Sequence, residues 1–463
     1  MLLRVEPLHF SKNAYCFVAL YCGLAFGSVV FSTEADASEK HEHAEFSLQE
    51  AYELARDSYP QLAIARLRID GAEADKDEAQ GRFFPQVSLF GEWSQNKVRY
   101  ESNELLQLPS QDYPGERYGM QLRSPLFNMR AFREYERQGE LVNQTQEELR
   151  VAEAKLLTVL VEVFLSALLA VEDLAQLESE AGALESQLQE AKALYEKSLL
   201  PVTQVLETQT RVDTLRADII ESRGNVALSR ERLFQLTGNQ AVAPLKVLDR
   251  ILLSSSVASA ESAAEIAVQF DPTVAAAQEA VSAARKGIQR EKGSWWPEID
   301  FVYNSQFSDV GFDNLTSPPR SSESYSVSIR YPLFEGGAGS ARLRGAWADF
   351  YSAQQQLEAT KRESMGRARV AWVNLETATE RVQATRQAVK TAEVNVDASR
   401  KAVRAGSAKP TDVLLALAQS TRAKRDLNEA RFQRAMNWLE LELAIGGDPV
   451  ALTPGFSTAL HGR

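Results

Sequence analysis

Four histidines, two cysteines and one glycine-rich run are the residues of this chain whose types could hold a metal, act as nucleophiles or cradle a phosphate. His41-Glu42-His43 puts two imidazoles and a carboxylate together. Nothing nearby completes a ligand set, so the segment reads as an exposed linker. His9 and His461 stand alone. Cys16 and Cys22 sit within an apolar run. Gly336-Gly337-Ala338-Gly339 lacks the Lys-Ser/Thr that a phosphate loop needs. No Gly-x-Ser-x-Gly, Walker A or paired-glycine nucleotide loop occurs. The chain therefore does not read as an enzyme, and no metal or cofactor is expected.

What the chain does carry is architecture. It has 463 residues, 44% hydrophobic and 25% charged, which are ordinary globular values. The net charge of −12 argues against a nucleic-acid partner, because phosphate binding needs a basic surface. Arg4 and Lys12 precede an apolar run from Ala14 to Phe31, followed by Ala35-Asp36-Ala37. This is the pattern of a secretory signal cleaved near Ser38. A retained anchor is the rival reading, since 18 residues nearly span a bilayer. A lipidated Cys22 is the poorer one, with bulky Tyr21 before it and apolar sequence after it. The remaining sequence has no cysteine, hence no disulfide framework. No other segment reaches ~18 consecutive apolar residues, so a membrane-spanning role would fall to a β-barrel.

The sequence repeats itself. Tyr59-Pro60 is followed 25 residues on by Phe84-Pro85-Gln86-Val87, and Asp271-Pro272 by Trp296-Pro297-Glu298-Ile299 at the same distance. Each is followed by an alternating segment, a polar stretch, a second alternating segment and Pro-Leu-Phe, at Pro125–Phe127 and Pro332–Phe334. Long helical sequence then breaks at Leu200-Pro201 and at Gly406 to Pro410. The last helices end at Thr237-Gly238 and Ile445-Gly446. These landmarks keep an offset near 208–212, which marks an internal duplication.

Helical period agrees with the duplication. Leu174, Leu177, Ala181, Leu184, Leu188, Ala191 and Tyr195 step by alternating threes and fours. Val382, Thr385, Val389, Ala392, Val396, Ser399 and Val403 do the same 208 residues later. That 3.5-residue period is a coiled-coil seam, although a plain helical hairpin would show it too. Residues 128–197 read as one helix of ~105 Å at 1.5 Å per residue, and 337–405 as its counterpart. Shorter helices are expected at 60–82, 202–236, 272–294 and 411–445. In each half, two short helices end to end match the long one. Ser47-Leu48-Gln49-Glu50 has the capping-box form and should start a short helix ending near Pro60. A strand is expected at Lys246–Leu253.

Four segments alternate with period two, each read as 8–10 residues. Val87, Leu89, Gly91 and Trp93 oppose Ser88, Glu92 and Ser94, with Phe90 breaking the pattern. Tyr118, Met120 and Leu122 oppose Gly119, Gln121 and Arg123. Ile299, Phe301, Tyr303 and Phe307 oppose Asp300 and Asn304, with Val302 the exception. Tyr325, Val327, Ile329 and Tyr331 oppose Ser326, Ser328 and Arg330. One apolar face with terminal aromatics suits barrel strands. A soluble sandwich alternates in the same way. The export signal, and helices that spend their seams on one another, favour the barrel. Trp295-Trp296, at a helix–strand junction, fits a membrane-interface belt, with plain packing the alternative. Four strands cannot close a barrel, so several chains must contribute. The polar connections 95–117 and 308–323 would face outside.

These landmarks resemble the TolC-like outer-membrane efflux protein family. The motifs are Phe83-Phe84-Pro85-Gln86, Trp296-Pro297-Glu298, both Pro-Leu-Phe runs, Gly336-Gly337 and Gly406…Asp412-Val413-Leu414, and they span about 47–446. The resemblance implies an α+β membrane protein: a homotrimer whose four strands per chain build a twelve-stranded transmembrane barrel on a coiled-coil periplasmic tunnel. It implies a passive outer-membrane channel of a tripartite efflux or type I secretion system, exporting drugs, metals or polypeptides. Its partners would be a periplasmic adaptor, an inner-membrane transporter and outer-membrane lipid. A non-channel coiled-coil structural or adhesin-like envelope protein is the alternative. The family's tip motif has acids at the first and fourth positions of Asp-Val-Leu-Asp. Here Asp412 is kept and Leu415 replaces the second acid. The paralogous turn reads Gln204-Val205-Leu206-Glu207. Asp412 and Glu207 are thus the candidate pore-constriction residues, with helix-start capping the plainer role for Asp412. The domain reading is a signal at 1–37, a first repeat at 38–238, a linker at 239–259, a second repeat at 260–446 and a tail at 447–463.

Overall fold

A computed structural model describes residues 45–46, 48–98, 111–238, 243–244, 257–310 and 318–453. The elements run β1 (Glu45–Phe46), α1 (Leu48–Ser58), α2 (Pro60–Gly81), β2 (Gln86–Val98), β3 (Gln111–Phe127), α3 (Met129–Glu196) and α4 (Val202–Thr237). They continue with β4 (Ala243–Pro244), α5 (Ala260–Phe270), α6 (Pro272–Gly293), β5 (Glu298–Val310), β6 (Arg320–Arg330), α7 (Ala338–Arg404) and α8 (Pro410–Ala444). The order α2-β-β-α3-α4 recurs as α6-β-β-α7-α8, so the duplication is structural.

The long helices α3 and α7 hold 68 and 67 residues. At 1.5 Å per residue each extends about 100 Å. Helices α2 and α4 both pack along α3, and α6 and α8 both pack along α7. This is the end-to-end stacking expected from their lengths. Helix starts follow local chemistry. The Asn128 side chain accepts from the Ala131 amide at 2.9 Å to begin α3. Asp271 accepts from the Thr273 amide at 2.8 Å to begin α6, with Pro272 preset for the first turn. At the strand-to-helix turn before α7, Gly336 and Gly337 have φ of 62° and 86°, a region L side chains avoid.

The main core lies at the waist of the rod. Leu156, Leu160, Phe164, Leu165 and Leu168 of α3 meet Leu48 and Tyr52 of α1, Ala263 and Ala267 of α5, Ala368 of α7, and Leu439 of α8. This apolar stretch of α3 passes length and composition tests for a membrane helix, a feature absent from the sequence reading. Of that stretch 44% is buried, in this core. A second cluster lines the lower hairpin, with Leu177, Leu184, Leu188, Val212, Leu215 and Ile219 buried between α3 and α4. β1 and β4 pair in parallel.

The sheet has order β2-β3-β5-β6, every pairing antiparallel. Its strands are longer than the alternation indicated: 13, 17, 13 and 11 residues. Residues 95–98, 111–117, 308–310 and 320–323, read as loop, belong to strands. Backbone pairing continues past the last apolar side chain because the ladder needs only N–H and C=O groups. β3 also runs through Pro125, at a register shift between Pro125 and Phe127. Ser47, the strand expected at 246–253, His41 and His43, and both cysteines lie outside the described residues.

Candidate pore wall and constriction

Register shows why the sheet has two chemical faces. Leu89 pairs with Met120, and Tyr303 with both Leu122 and Tyr325. Residues directly opposite each other share a face. The apolar face is therefore continuous across all four strands. Tyr118 stacks on Phe307 at 4.8 Å between ring centroids, and Tyr303 lies 4.9 Å from Tyr325. This face is bare: Leu89 is 81% exposed, Trp93 74% and Ile329 68%. Below it, Trp295, Trp296, Leu333 and Phe334 are also exposed at the helical end of the sheet.

The opposite face is polar. Arg123 on β3 donates to Asp300 on β5 at 2.6 Å, joining the two repeats across the sheet. Both exceptions to alternation fall on this face. Phe90 pairs with Gly119, and its ring lies 2.9 Å from where a Cβ on Gly119 would stand. The missing side chain is the seat for the ring. Val302 lies between Arg123 and Ser326.

Just below the sheet, a charged network fastens α3 to α6 and α7. Glu291 is buried and receives Arg290 at 2.7 Å and Arg342 at 3.4 Å. Burial opposes ionisation of the neighbouring Glu134, but hydrogen bonds from Arg137, Gln138 and Arg290 outweigh it and lower its carboxyl to about 2. One step further down, Glu279 meets the like-charged Glu140. Burial, then Glu140, raise its carboxyl above the usual range.

At the far end of the rod the two hairpins turn. Between α3 and α4, Ser198 sits at φ 61°, and the Leu199 amide bonds back to the Leu194 carbonyl at 2.9 Å. Between α7 and α8, Gly406 sits at φ 73°, and the Ser407 amide bonds to the Ala402 carbonyl at 3.0 Å. The two turns have one geometry. Asp412 is exposed in the first turn of α8, and its carboxylate accepts from the Lys409 amide at 2.9 Å. This fixes the side chain at the tip and gives it a capping role. Its counterpart Gln204 has a buried side-chain oxygen with no partner among the described residues. Glu207 is exposed in the second turn of α4. The two candidate acids share no hydrogen bond or ion pair among the described residues.

Sequence reasoning missed the charges above the tip. Arg425 of α8 meets Asp173 of α3 at 3.0 Å, tying one hairpin to the other. Arg211 of α4 meets buried Glu180 of α3 at 3.0 Å. Both pairs line a cleft of about 530 Å³ that also holds Asp218, Arg422, Asp426 and Glu429. A visible signal was Glu180, which adjoins seam residue Ala181.

A long helical rod carrying an open four-stranded sheet, apolar on one face and polar on the other, is an α+β architecture that suits an outer-membrane channel component. The comparisons agree. The model of the Outer membrane efflux protein family matches twice, over residues 51–239 and 263–447, and the chain belongs to that family. It is an outer-membrane channel of the efflux and type I secretion class, its helical part periplasmic. It is 25% identical over 408 residues to the proteases secretion protein PrtF of Dickeya chrysanthemi, covering 86% of this chain and 88% of that one. It is 22% identical over 412 residues to the outer membrane protein TolC of Escherichia coli K12, covering 86% and 82%. In fold it is similar to the Neisseria gonorrhoeae MtrE outer membrane channel in its open state: TM-score 0.70, 16% identity, covering 88% and 91%. The outer-membrane channel OprN gives TM-score 0.71 at 18% identity, covering 87% and 90%.

Proposed function

We propose that three copies of this chain close into a twelve-stranded barrel on a helical tunnel, forming a passive exit duct with no catalytic step. The observation that carries this is the four-stranded sheet with unpaired edges at β2 and β6, a bare apolar face and a polar face. Such a sheet becomes stable in lipid only when its edges close. The apolar face meets outer-membrane lipid and the polar face lines the lumen. A periplasmic adaptor and an inner-membrane transporter supply the cargo and the energy. The cargo is a drug, a metal or a polypeptide. Polypeptide export comes first because PrtF, and AprF of Pseudomonas aeruginosa at 23% identity, are named for protease secretion.

The constriction lies at the tip. Three Asp412 carboxylates, each anchored by its own helix start, ring the aperture, with Glu207 beside them. Clustered carboxylates favour cations in a narrow water-filled path. Planar-bilayer recordings of Asp412→Ala test this: a marked loss of cation selectivity is expected. Unchanged selectivity removes Asp412 from the constriction and leaves it as a helix cap.

A further inference from the structure

We infer that the seam between copies reverses the charge polarity of the seam within each copy: basic α7 residues of one copy grip acidic α2 residues of the next. This rests on the oligomeric reading above. The duplication makes α3 correspond to α7 at an offset of 208 residues, and α2 to α6 at an offset of 212. Within the chain α3 packs against α6. The corresponding contact, α7 against α2, can form only between copies, because α2 and α7 lie on the outer sides of α3 and α6.

In two of the α3–α6 pairs the acid is on α3 and the base on α6; a third, Arg130 with Glu291 at 3.8 Å, runs the other way and transposes to the uncharged Ala338 and Ala79. Glu134 meets Arg290 at 3.2 Å, and Glu136 meets Lys286 at 3.3 Å. Transposed by the repeat offsets, Glu134 becomes Arg342 and Arg290 becomes Glu78. Glu136 becomes Arg344 and Lys286 becomes Ala74, beside Asp75. The polarity is inverted, yet the signs remain complementary. Arg344 is exposed, and among the described residues Glu78 is held only by Arg82, itself exposed, one turn along. Arg342 already holds Glu335 and Glu291, and its Nη1 engages none of the described residues.

Packing gives an independent sign of the absent neighbour. A Cβ on Gly293 of α6 would lie 3.1 Å from the Arg130 backbone of α3, so this glycine allows close helix approach. Its counterpart Gly81 of α2 has nothing within 4 Å. The open space is where Ala338 of the next copy belongs. Ile64, Leu67, Gly71, Ala74, Glu78 and Gly81 form a 3,4-stepped stripe on α2, all exposed. Ala341, Gly345, Ala348, Ser352 and Gln355 form the matching stripe on α7, also exposed. The strands agree. Met120 of β3 pairs with Ser305 of β5. The same transposition, with the strand offset of 207 set by Pro125 and Pro332, puts Val327 beside Trp93 of the next copy, apolar beside apolar.

The reversal has a use. Were α7 to meet α6 of another copy, Arg342 and Arg344 would face Arg290 and Lys286. Were the α6-facing side of α3 to meet α2 of another copy, Glu134 and Glu136 would face Glu78 and Asp75. Like charges disfavour both pairings, so each seam accepts only its own partner.

The test uses the full chain purified in detergent, with assembly read by native mass and folding by helical circular dichroism. Asp75→Lys with Glu78→Lys should lower assembly about tenfold or more at physiological salt. Adding Arg344→Glu to that variant should restore part of it, since the new acid at position 344 then faces the lysine at position 75 while Arg342 still faces the lysine at position 78, and Arg344→Glu alone should weaken assembly. Gly81→Leu, which meets open space within the chain, should block assembly while helicity is kept. Normal assembly of the double lysine variant, or a further loss when Arg344→Glu is added, overturns the inference. If the double variant is itself unfolded, Arg344→Glu and Gly81→Leu decide: normal assembly in both overturns it. A wild-type chain that is monomeric defeats the oligomeric reading instead, independently of the charge swap.

Discussion

The two turns at the tip of the rod are built alike and filled differently. Both place one residue in the left-handed region, Ser198 in one copy and Gly406 in the other. Both bond a following amide back to the helix end. The side chains then part company. The first turn is surrounded by exposed Leu194, Tyr195, Leu199, Val202 and Leu206. The second carries Lys401, Arg404 and Lys409, with the capping Asp412. Backbone geometry has been copied while surface chemistry has diverged. The first tip adds apolar contact to the charges of Glu196, Lys197 and Glu207, and the second is mainly charged. This difference shows that the two hairpins need not move together, and that the exposed apolar surface belongs to the first.

The strongest break in the comparison is expected from Arg211→Ala. The first hairpin has a buried ion pair here that the second lacks, since the positions matching Glu180 and Arg211 are Ala388 and Gln419. Removing Arg211 strands the buried Glu180 carboxylate and should cost about 2 kcal/mol. Increased hydrogen exchange confined to α3 and α4 near the tip would show it, with α7 and α8 unchanged. Next in size is Gly406→Ala, which forces a Cβ into the left-handed region at a cost of about 1 kcal/mol. The reverse change, Ser198→Gly, should stabilise the first tip by about 0.5 kcal/mol, because serine pays there what glycine does not. Thermal melts of the helical signal check both. Equal signs for the two substitutions would show that the turns are not equivalent.

The smallest effect serves as a control far from either tip. Glu279 has its carboxyl raised by burial and by Glu140. A raised carboxyl destabilises the folded chain above its folded value, and that cost is relieved as pH falls through it. Glu279→Gln should therefore gain about 0.5 kcal/mol at pH 7 and lose that part of the pH dependence, while tip exchange rates stay unchanged. Glu134 works in the opposite sense. Its carboxyl is lowered to about 2, so its contribution is present above the ordinary 4.5 and disappears as pH falls toward 2.

Much of this fold was legible in the sequence because helices and turns are local. The 3,4-stepped seams, the paired Pro-Leu-Phe runs and the Gly406 turn locate the hairpins within a residue or two. The two strand faces were legible from alternation. Strand length was not, because ladder bonds between Lys97 and Asp112 or between Ser308 and Arg320 need no side-chain pattern. Phe90 looked like an error in β2 until its partner Gly119 was known, and that pairing is non-local. Ser198 hid a left-handed turn because nothing but its counterpart Gly406 marks it. The ion pairs Arg425–Asp173 and Arg123–Asp300 join residues 252 and 177 positions apart, beyond any periodicity. Helix-start capping, the plainer role open to Asp412, was legible from its place after Pro410, and the capping bond anchors its charge where the two hairpins end.

The central claim is that the open sheet is one third of a closed barrel. Native mass spectrometry of the full chain, released from outer-membrane detergent extracts, tests it most directly. The account predicts one particle of three chains. A particle of one, two or four chains would contradict it.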